Sequence, residues 1–160
     1  MKDWIKNIHT VNKTCVNSEG EYYKYTEFDR KPISLYIVVT RDCNAKCPFC
    51  EYRGKIEKIN INKFKNIFTE LNRYYDIVTV HFTGGEPTLE LDIINILSRI
   101  IKEISPLSKT SVNTNGIFLN ELSNIDTIDN IALSRHTLID KDNFDIFRTN
   151  NIATYKYLYM

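Results

Sequence analysis

The sequence predicts an α/β fold in which parallel strands alternate with helices. Two observations carry this. Short runs rich in β-branched and aromatic residues, Ile33 to Thr40 and Ile77 to Phe82, alternate with stretches whose apolar residues recur every three or four positions. The residues of unusual chemistry follow directly after the strand-like runs, the end of a parallel sheet at which ligands bind.

Up to about Pro32 the chain is polar and mixed, with one stretch, Tyr22, Tyr23, Lys24 and Tyr25, that suits an edge strand or a hairpin arm. Ile33 to Thr40 reads as a strand buried on both faces, because it is short, mostly apolar and β-branched. A cysteine-bearing loop follows. Ile61, Phe64, Ile67, Phe68, Leu71 and Tyr75 then fall on one helical face, with Asn60 as the cap. Ile77 to Phe82 is the second strand, and Thr83-Gly84-Gly85-Glu86-Pro87 must turn. Ile93, Ile94, Leu97, Ile100, Ile101 and Ile104 give a second helical stripe, stopped around Ser105-Pro106. Thr110 to Thr114 is a third strand running into Asn115-Gly116, and a weak helical stretch leads to a fourth, Asp129 to Ser134. Asp140 to Arg148 reads as a short helix with Phe144 and Phe147 inward. The order is that of βα units with parallel strands. It divides the chain into an N-terminal extension, 1–32, and a core domain, 33–160.

The chain of 160 residues is 42% hydrophobic and 26% charged, enough for one compact core. It is short for a closed α/β barrel, for which roughly 250 residues is typical. With 21 Lys+Arg against 20 Asp+Glu, a net charge of +1 and a pI near 7.6, it lacks the excess positive charge that binds a phosphate backbone, so no nucleic acid partner is expected. Apolar runs such as Ile93 to Leu97 break well before the roughly 20 residues of a membrane span. The N-terminus, Met1-Lys2-Asp3-Trp4-Ile5-Lys6, does not read as a secretory signal. A cytoplasmic location follows, where thiols stay reduced.

Three of the four cysteines then become informative. Cys43, Cys47 and Cys50 form a C-x3-C-x2-C triplet after the first strand, while Cys15 stands alone. Clustered thiolates select zinc, copper(I) or iron–sulfur clusters. A structural zinc site is normally closed by four protein ligands, and Cys15 or His81 could supply the fourth. Three cysteines without a fourth suit a four-iron cluster with one iron open to another ligand. At the second strand end, Gly84 and Gly85 allow a close backbone approach, Pro87 fixes the exit, and Glu86 offers a carboxylate for an ammonium group. Asn113-Thr114-Asn115-Gly116 suits a polar turn with a left-handed glycine. At the fourth strand end come Ser134, Arg135 and His136, where a guanidinium suits a carboxylate or ribose hydroxyl. His136 could donate a proton or cap the next segment. His9 and His81 read as structural, His81 as a core histidine in a buried strand. Cys15 reads as a small, partly buried side chain. The aromatic Tyr155 to Tyr159 tail reads as an edge strand or loose end, not a nucleic-acid platform.

The triplet, with Phe49 before its last cysteine, resembles the signature loop of the radical S-adenosylmethionine (radical SAM) superfamily. The resemblance implies a partial parallel (β/α) barrel of the radical SAM type, about four βα units after a polar N-terminal segment. It implies that Cys43, Cys47 and Cys50 hold a [4Fe-4S] cluster whose fourth iron is chelated by the methionine part of SAM, with Phe49 near the adenine. Gly84, Gly85, Glu86 and Pro87 are similar to the family's GGEP segment, which binds the SAM amino group. Asn113, Thr114 and Asn115 are similar to its T-N-G element, which lines the same cavity, and Ser134 and Arg135 would hold the carboxylate or ribose. The implied activity is reductive cleavage of SAM to a 5′-deoxyadenosyl radical that abstracts hydrogen from a substrate, with an external flavodoxin- or ferredoxin-like electron donor.

The resemblance covers Ile33 to Arg148 and departs from the family in two places. No Gly-x-Ile-x-Gly-x-x-Glu-like segment occurs between Asn150 and Met160, and no cysteine follows Cys50, so no auxiliary cluster is implied. The core reads as truncated after its fourth unit, with a partner chain as one way to complete the barrel. Beside the enzyme stand two other readings: a cluster-binding remnant or half-site without turnover, and a small zinc-stabilised binding module. Substrate and catalytic residues are not legible.

Overall fold

The structure, a computed structural model, describes residues 14–16, 22–24, 30–50, 56 and 58–154. Strands β1 (Thr14–Val16) and β2 (Tyr22–Lys24) pair antiparallel, with Thr14 opposite Lys24, which makes the Tyr22 stretch a hairpin arm. Cys15 contributes its backbone to β1; its side chain, His9 and the Tyr155–Tyr159 tail lie outside the described residues.

The core domain is a four-stranded parallel sheet of β3 (Lys31–Thr40), β4 (Tyr75–Gly84), β5 (Lys109–Thr114) and β6 (Asn130–Leu133). Between strands run α1 (Ile61–Tyr74), α2 (Leu91–Ile104) and the single turn α3 (Leu119–Leu122), and α4 (Asp140–Phe147) follows β6. The strands lie in chain order, each beside its predecessor. That order builds a barrel wall; a doubly wound sheet would reverse it at a switch point.

The helical stripes read from spacing pack on one sheet face. Phe68 of α1 and Ile94, Leu97 and Ile101 of α2 meet Val80, Phe82 and Val112, all essentially inaccessible to solvent. Burying each such side chain stabilises the fold by roughly 1.5–3 kcal/mol. Asn60 caps α1 as expected, its side chain accepting from the Lys63 amide at 2.9 Å. Phe147 is buried and Phe144 partly so, as read from the sequence.

Three expectations are corrected. Tyr75 is not part of α1: its amide still bonds to Leu71, but its backbone is extended and opens β4 without a connecting loop. There Asp76 receives the Arg30 amide at 2.7 Å and the Arg30 Nε at 2.9 Å, which fixes the start of β4 against β3. Nor is β3 buried on both faces. It is an edge strand, which also tolerates Pro32; Ile33, Leu35, Ile37 and Val39 face the helices, while Ser34 and Tyr36 are exposed, Tyr36 to 67%. His81, finally, is no core histidine. It lies half-buried on the face away from the helices and stacks on Tyr36.

Candidate functional site

The site is built where the four strands end. β4 closes on the loop after β3 through two backbone hydrogen bonds, Gly85 N to Thr40 O and Glu86 N to Asp42 O, both 2.8 Å. The two glycines are needed for this approach. A Cβ on Gly84 would stand 2.0 Å from Thr40 O, and one on Gly85 would stand 2.2 Å from Asp42 O. The close approach read from these glycines is therefore to the backbone that launches the cysteine loop.

Glu86 was expected to offer its carboxylate to a ligand. The structure instead buries it to 1% exposure and surrounds it with four donors from the protein. Oε1 accepts from the Thr88 amide at 3.1 Å, the Thr88 hydroxyl at 2.6 Å and the Thr114 hydroxyl at 2.6 Å; Oε2 accepts from the Asn115 amide at 2.8 Å. A carboxylate so satisfied ties the β4 turn to the β5 turn. Pro87 opens the 3-10 turn Pro87–Glu90 that leads into α2.

The β5 turn is committed in the same way. Thr114 Oγ1 also accepts from Gly116 N at 2.9 Å, and Gly116 has the expected left-handed backbone, φ 85°. Asn115 donates from Nδ2 to Asn44 Oδ1 at 2.8 Å, and Asn44 donates to the Asn151 carbonyl at 2.6 Å. Asn44 was missed in the sequence because it is a spacer inside the triplet, with nothing in its type to mark it. Asn113 lies one residue earlier in β5 and so on the opposite sheet face from Thr114.

Cys43 is exposed, Cys50 half-buried and Cys47 buried beside Phe147 and Ile152; none is in a disulfide. The loop is pinned to the last unit by Lys46 N to Phe147 O at 2.9 Å. Although Cys43 sits at the rim, the partial burial of its thiol is the largest cause raising its pKa, and the charges of Glu86, Cys47 and Cys50 push the same way against the Ala45 amide. Two further thiols whose charges disfavour ionisation of Cys43 complete a donor set that a cationic metal centre would relieve. Among the described residues no three His, Cys, Asp or Glu side chains are grouped to hold one metal ion. Three thiols on one loop are the soft donors that an iron–sulfur cluster takes. His81, in mid-sheet, is not grouped with them.

Phe49 is 59% exposed and meets the His136 ring edge-on at 5.0 Å; His136 in turn lies 5.3 Å from the Phe147 ring. Ser134 joins the rim through its amide, which donates to Thr114 O at 2.7 Å, and its side chain stays exposed. Arg135 departs from the expectation of a ligand-facing guanidinium. Only 7% of its side chain is accessible; Nη1 donates to Ala153 O at 2.8 Å and Nη2 to Asp140 Oδ1 at 2.7 Å. It folds the segment after β6. Asn143, a second residue the sequence did not disclose, is fully buried below it and accepts from His136 N at 2.9 Å.

The chain is similar to known proteins in sequence and in fold. A family model described as the radical SAM superfamily matches residues 37–148. The chain is 33% identical over 124 residues to a probable GTP 3′,8-cyclase of Thermococcus kodakarensis, covering 71% of this chain and 38% of that one. It is 34% identical over 98 residues to a probable GTP 3′,8-cyclase of Sulfolobus acidocaldarius, covering 60% of this chain and 31% of that one. The chain thus spans well under half the length of these curated relatives. Among solved structures, Streptococcus suis SuiB superposes on 76% of the chain and 28% of its own length, with a TM-score of 0.58 and 26% identity. BtrN, crystallised with AdoMet and 2-DOIA, has the same fold: TM-score 0.51 over 74% of the chain and 52% of BtrN at 18% identity.

Proposed function

This chain belongs to the radical SAM superfamily, and from that membership we propose that it takes part in reductive cleavage of SAM with hydrogen abstraction from a substrate. Cys43, Cys47 and Cys50 hold the [4Fe-4S] cluster, and the rim formed by residues 84–87, 113–115 and 134–135 holds SAM. When bound, such a cluster would supply the electron for reductive cleavage of SAM, the chemistry that yields methionine and a hydrogen-abstracting 5′-deoxyadenosyl group. The electron comes from an external flavodoxin- or ferredoxin-like donor.

The chain's own residues do the rest. The loop from Cys43 to Cys50 presents three reduced thiols, and Asn44 and Lys46 hold that loop between the β5 turn and α4. Glu86 and Arg135, being spent on internal bonds, position the rim, so SAM is met by backbone groups and by exposed Phe49 and Ser134. The observation that supports the reading most directly is the triplet at the end of β3, one βα unit before the Gly84–Pro87 turn that bonds back to it.

The test is anaerobic reconstitution with iron and sulfide, followed by dithionite and SAM. A brown protein with about one four-iron cluster per chain, yielding 5′-deoxyadenosine and methionine, is the expected result. A colourless protein that binds zinc tightly would overturn the proposal.

A further inference from the structure

From the sequence His136 suits a proton donor or a helix cap, and in the structure it is not the cap. Ile139 holds that position before α4, without a side-chain hydrogen bond. The His136 ring lies instead between two phenylalanines, its centroid 5.0 Å from that of Phe49 and 5.3 Å from that of Phe147. The planes of His136 and Phe49 stand 69° apart, the edge-to-face geometry that aromatic pairs favour over a flat sandwich.

The two phenylalanines differ in how they are held. Phe147 is buried, packs on Cys47 and receives the Lys46 amide on its carbonyl, so it is a fixed point. Phe49 sits at the third position of a tight turn, Cys47-Pro48-Phe49-Cys50, closed by Cys50 N to Cys47 O at 3.2 Å. That position turns its ring outward, and among the described residues His136 is the one aromatic ring against it. The His136 backbone, by contrast, is firmly tied. Asn143, fully buried, accepts from its amide and donates from Nδ2 to the Thr137 and Ile139 carbonyls. The neighbouring Arg135 guanidinium binds Ala153 O and Asp140 Oδ1. A buried amide and a nearly buried guanidinium thus fix the turn that carries one exposed imidazole.

We propose that His136 is a positioning residue: wedged between Phe147 and Phe49, it holds the Phe49 ring in the orientation that packs against the adenine of SAM. This role rests on the reading above, in which exposed Phe49 meets SAM. An exposed phenylalanine that is free to change rotamer must be ordered each time a ligand binds, whereas one already resting on a fixed ring loses little freedom. His136 acts through Phe49 and touches no reacting atom. Its contribution is the shape of its ring, not a proton.

The test is a double-mutant cycle on the reconstituted full chain, read by anaerobic calorimetry of S-adenosylhomocysteine binding; this probe carries the adenine but no sulfonium to cleave. His136→Ala should weaken binding about fivefold in the parent, the scale of one aromatic pair. Where Phe49→Leu has already removed the ring, the same change should cost less than about twofold. His136→Phe, which keeps the wedge without its nitrogens, should bind as the parent does. Equal losses in both backgrounds, or no loss in the parent, overturn the proposal, and so does a loss in His136→Phe as large as in His136→Ala. If His136→Ala fails to fold, His136→Leu, which fills the space without a ring, takes its place with the same losses expected. Parent protein that takes up iron yet ignores S-adenosylhomocysteine refutes the SAM reading and the role of His136 with it. Parent that binds the probe while the two losses simply add refutes the wedge alone and leaves the SAM reading standing.

Discussion

Glu86 accepts a 2.6 Å hydrogen bond from the Thr114 hydroxyl, across 28 residues of sequence and with both side chains essentially inaccessible to solvent. The pair joins the ends of β4 and β5, so the two turns that line the rim are one bonded unit. A carboxylate in this position is a structural joint.

Glu86→Gln is therefore expected to destabilise the fold. The amide keeps one acceptor oxygen but sets an NH2 against donors that the carboxylate had satisfied, a loss of about 2–3 kcal/mol. Chemical denaturation reads this directly. An unchanged midpoint would show that the four bonds to Glu86 carry no net stability.

Gly85→Ala is expected to disturb the site by a different route. Its Cβ would sit 2.2 Å from Asp42 O, a backbone atom that cannot swing aside. The Cys43 loop must shift, at a cost of roughly 1–3 kcal/mol. Iron bound per chain after reconstitution should fall with the stability, and full iron content in a destabilised variant would separate the glycine from the cysteine loop.

The cysteines should divide by burial. Cys43→Ala, at the exposed rim, should leave stability within about 0.5 kcal/mol of the parent. Cys47→Ala removes a side chain packed on Phe147 and Ile152 and should cost about 1 kcal/mol more. Both should lower the iron content of reconstituted protein. Retention of all iron by Cys43→Ala would contradict the assignment of its thiol.

Acid should weaken the sheet through Asp129. Its carboxylate accepts from Lys102 Nζ at 2.5 Å, the Thr110 amide at 2.7 Å and the Thr110 hydroxyl at 2.9 Å. Burial is the largest single influence and raises the pKa, but these bonds together with the Lys102 charge outweigh it and hold the pKa below the ordinary 3.8. A carboxyl depressed on folding contributes stability that is fully present above its unfolded pKa and is lost as pH falls through the folded value. Stability should thus decline below about pH 4, and Asp129→Asn should flatten that part of the profile. An identical acid limb in the variant would assign the decline to other groups.

The strands and helices were legible because spacing reports which face is buried: Phe68, Leu97 and Ile101 lie in the core as their positions require. The limits at Tyr75 were not legible. An apolar residue four positions after Leu71 continues the helical stripe even where the backbone has turned into a strand. The exposure of Tyr36 escaped for a related reason, since a β-branched, aromatic run reads alike in a central strand and at an edge. At the site, the motifs fall together at the end of the sheet where the strands finish. They did not disclose which polar side chains face inward: beside near neighbours, Glu86 meets Asn115 29 residues on and Arg135 meets Ala153 18 residues on. No local pattern marks such a partner.

Among the described residues, the cysteine loop also closes the longest circuit. Asn44 bonds to Asn151 across 107 residues and to Asn115 across 71. The strands between are laid down by neighbour-to-neighbour pairing, whereas these bonds can form only once every unit is in place. Loop-closure entropy makes such contacts late and slow to form. The geometry of the thiol loop is therefore a report that all four units have docked.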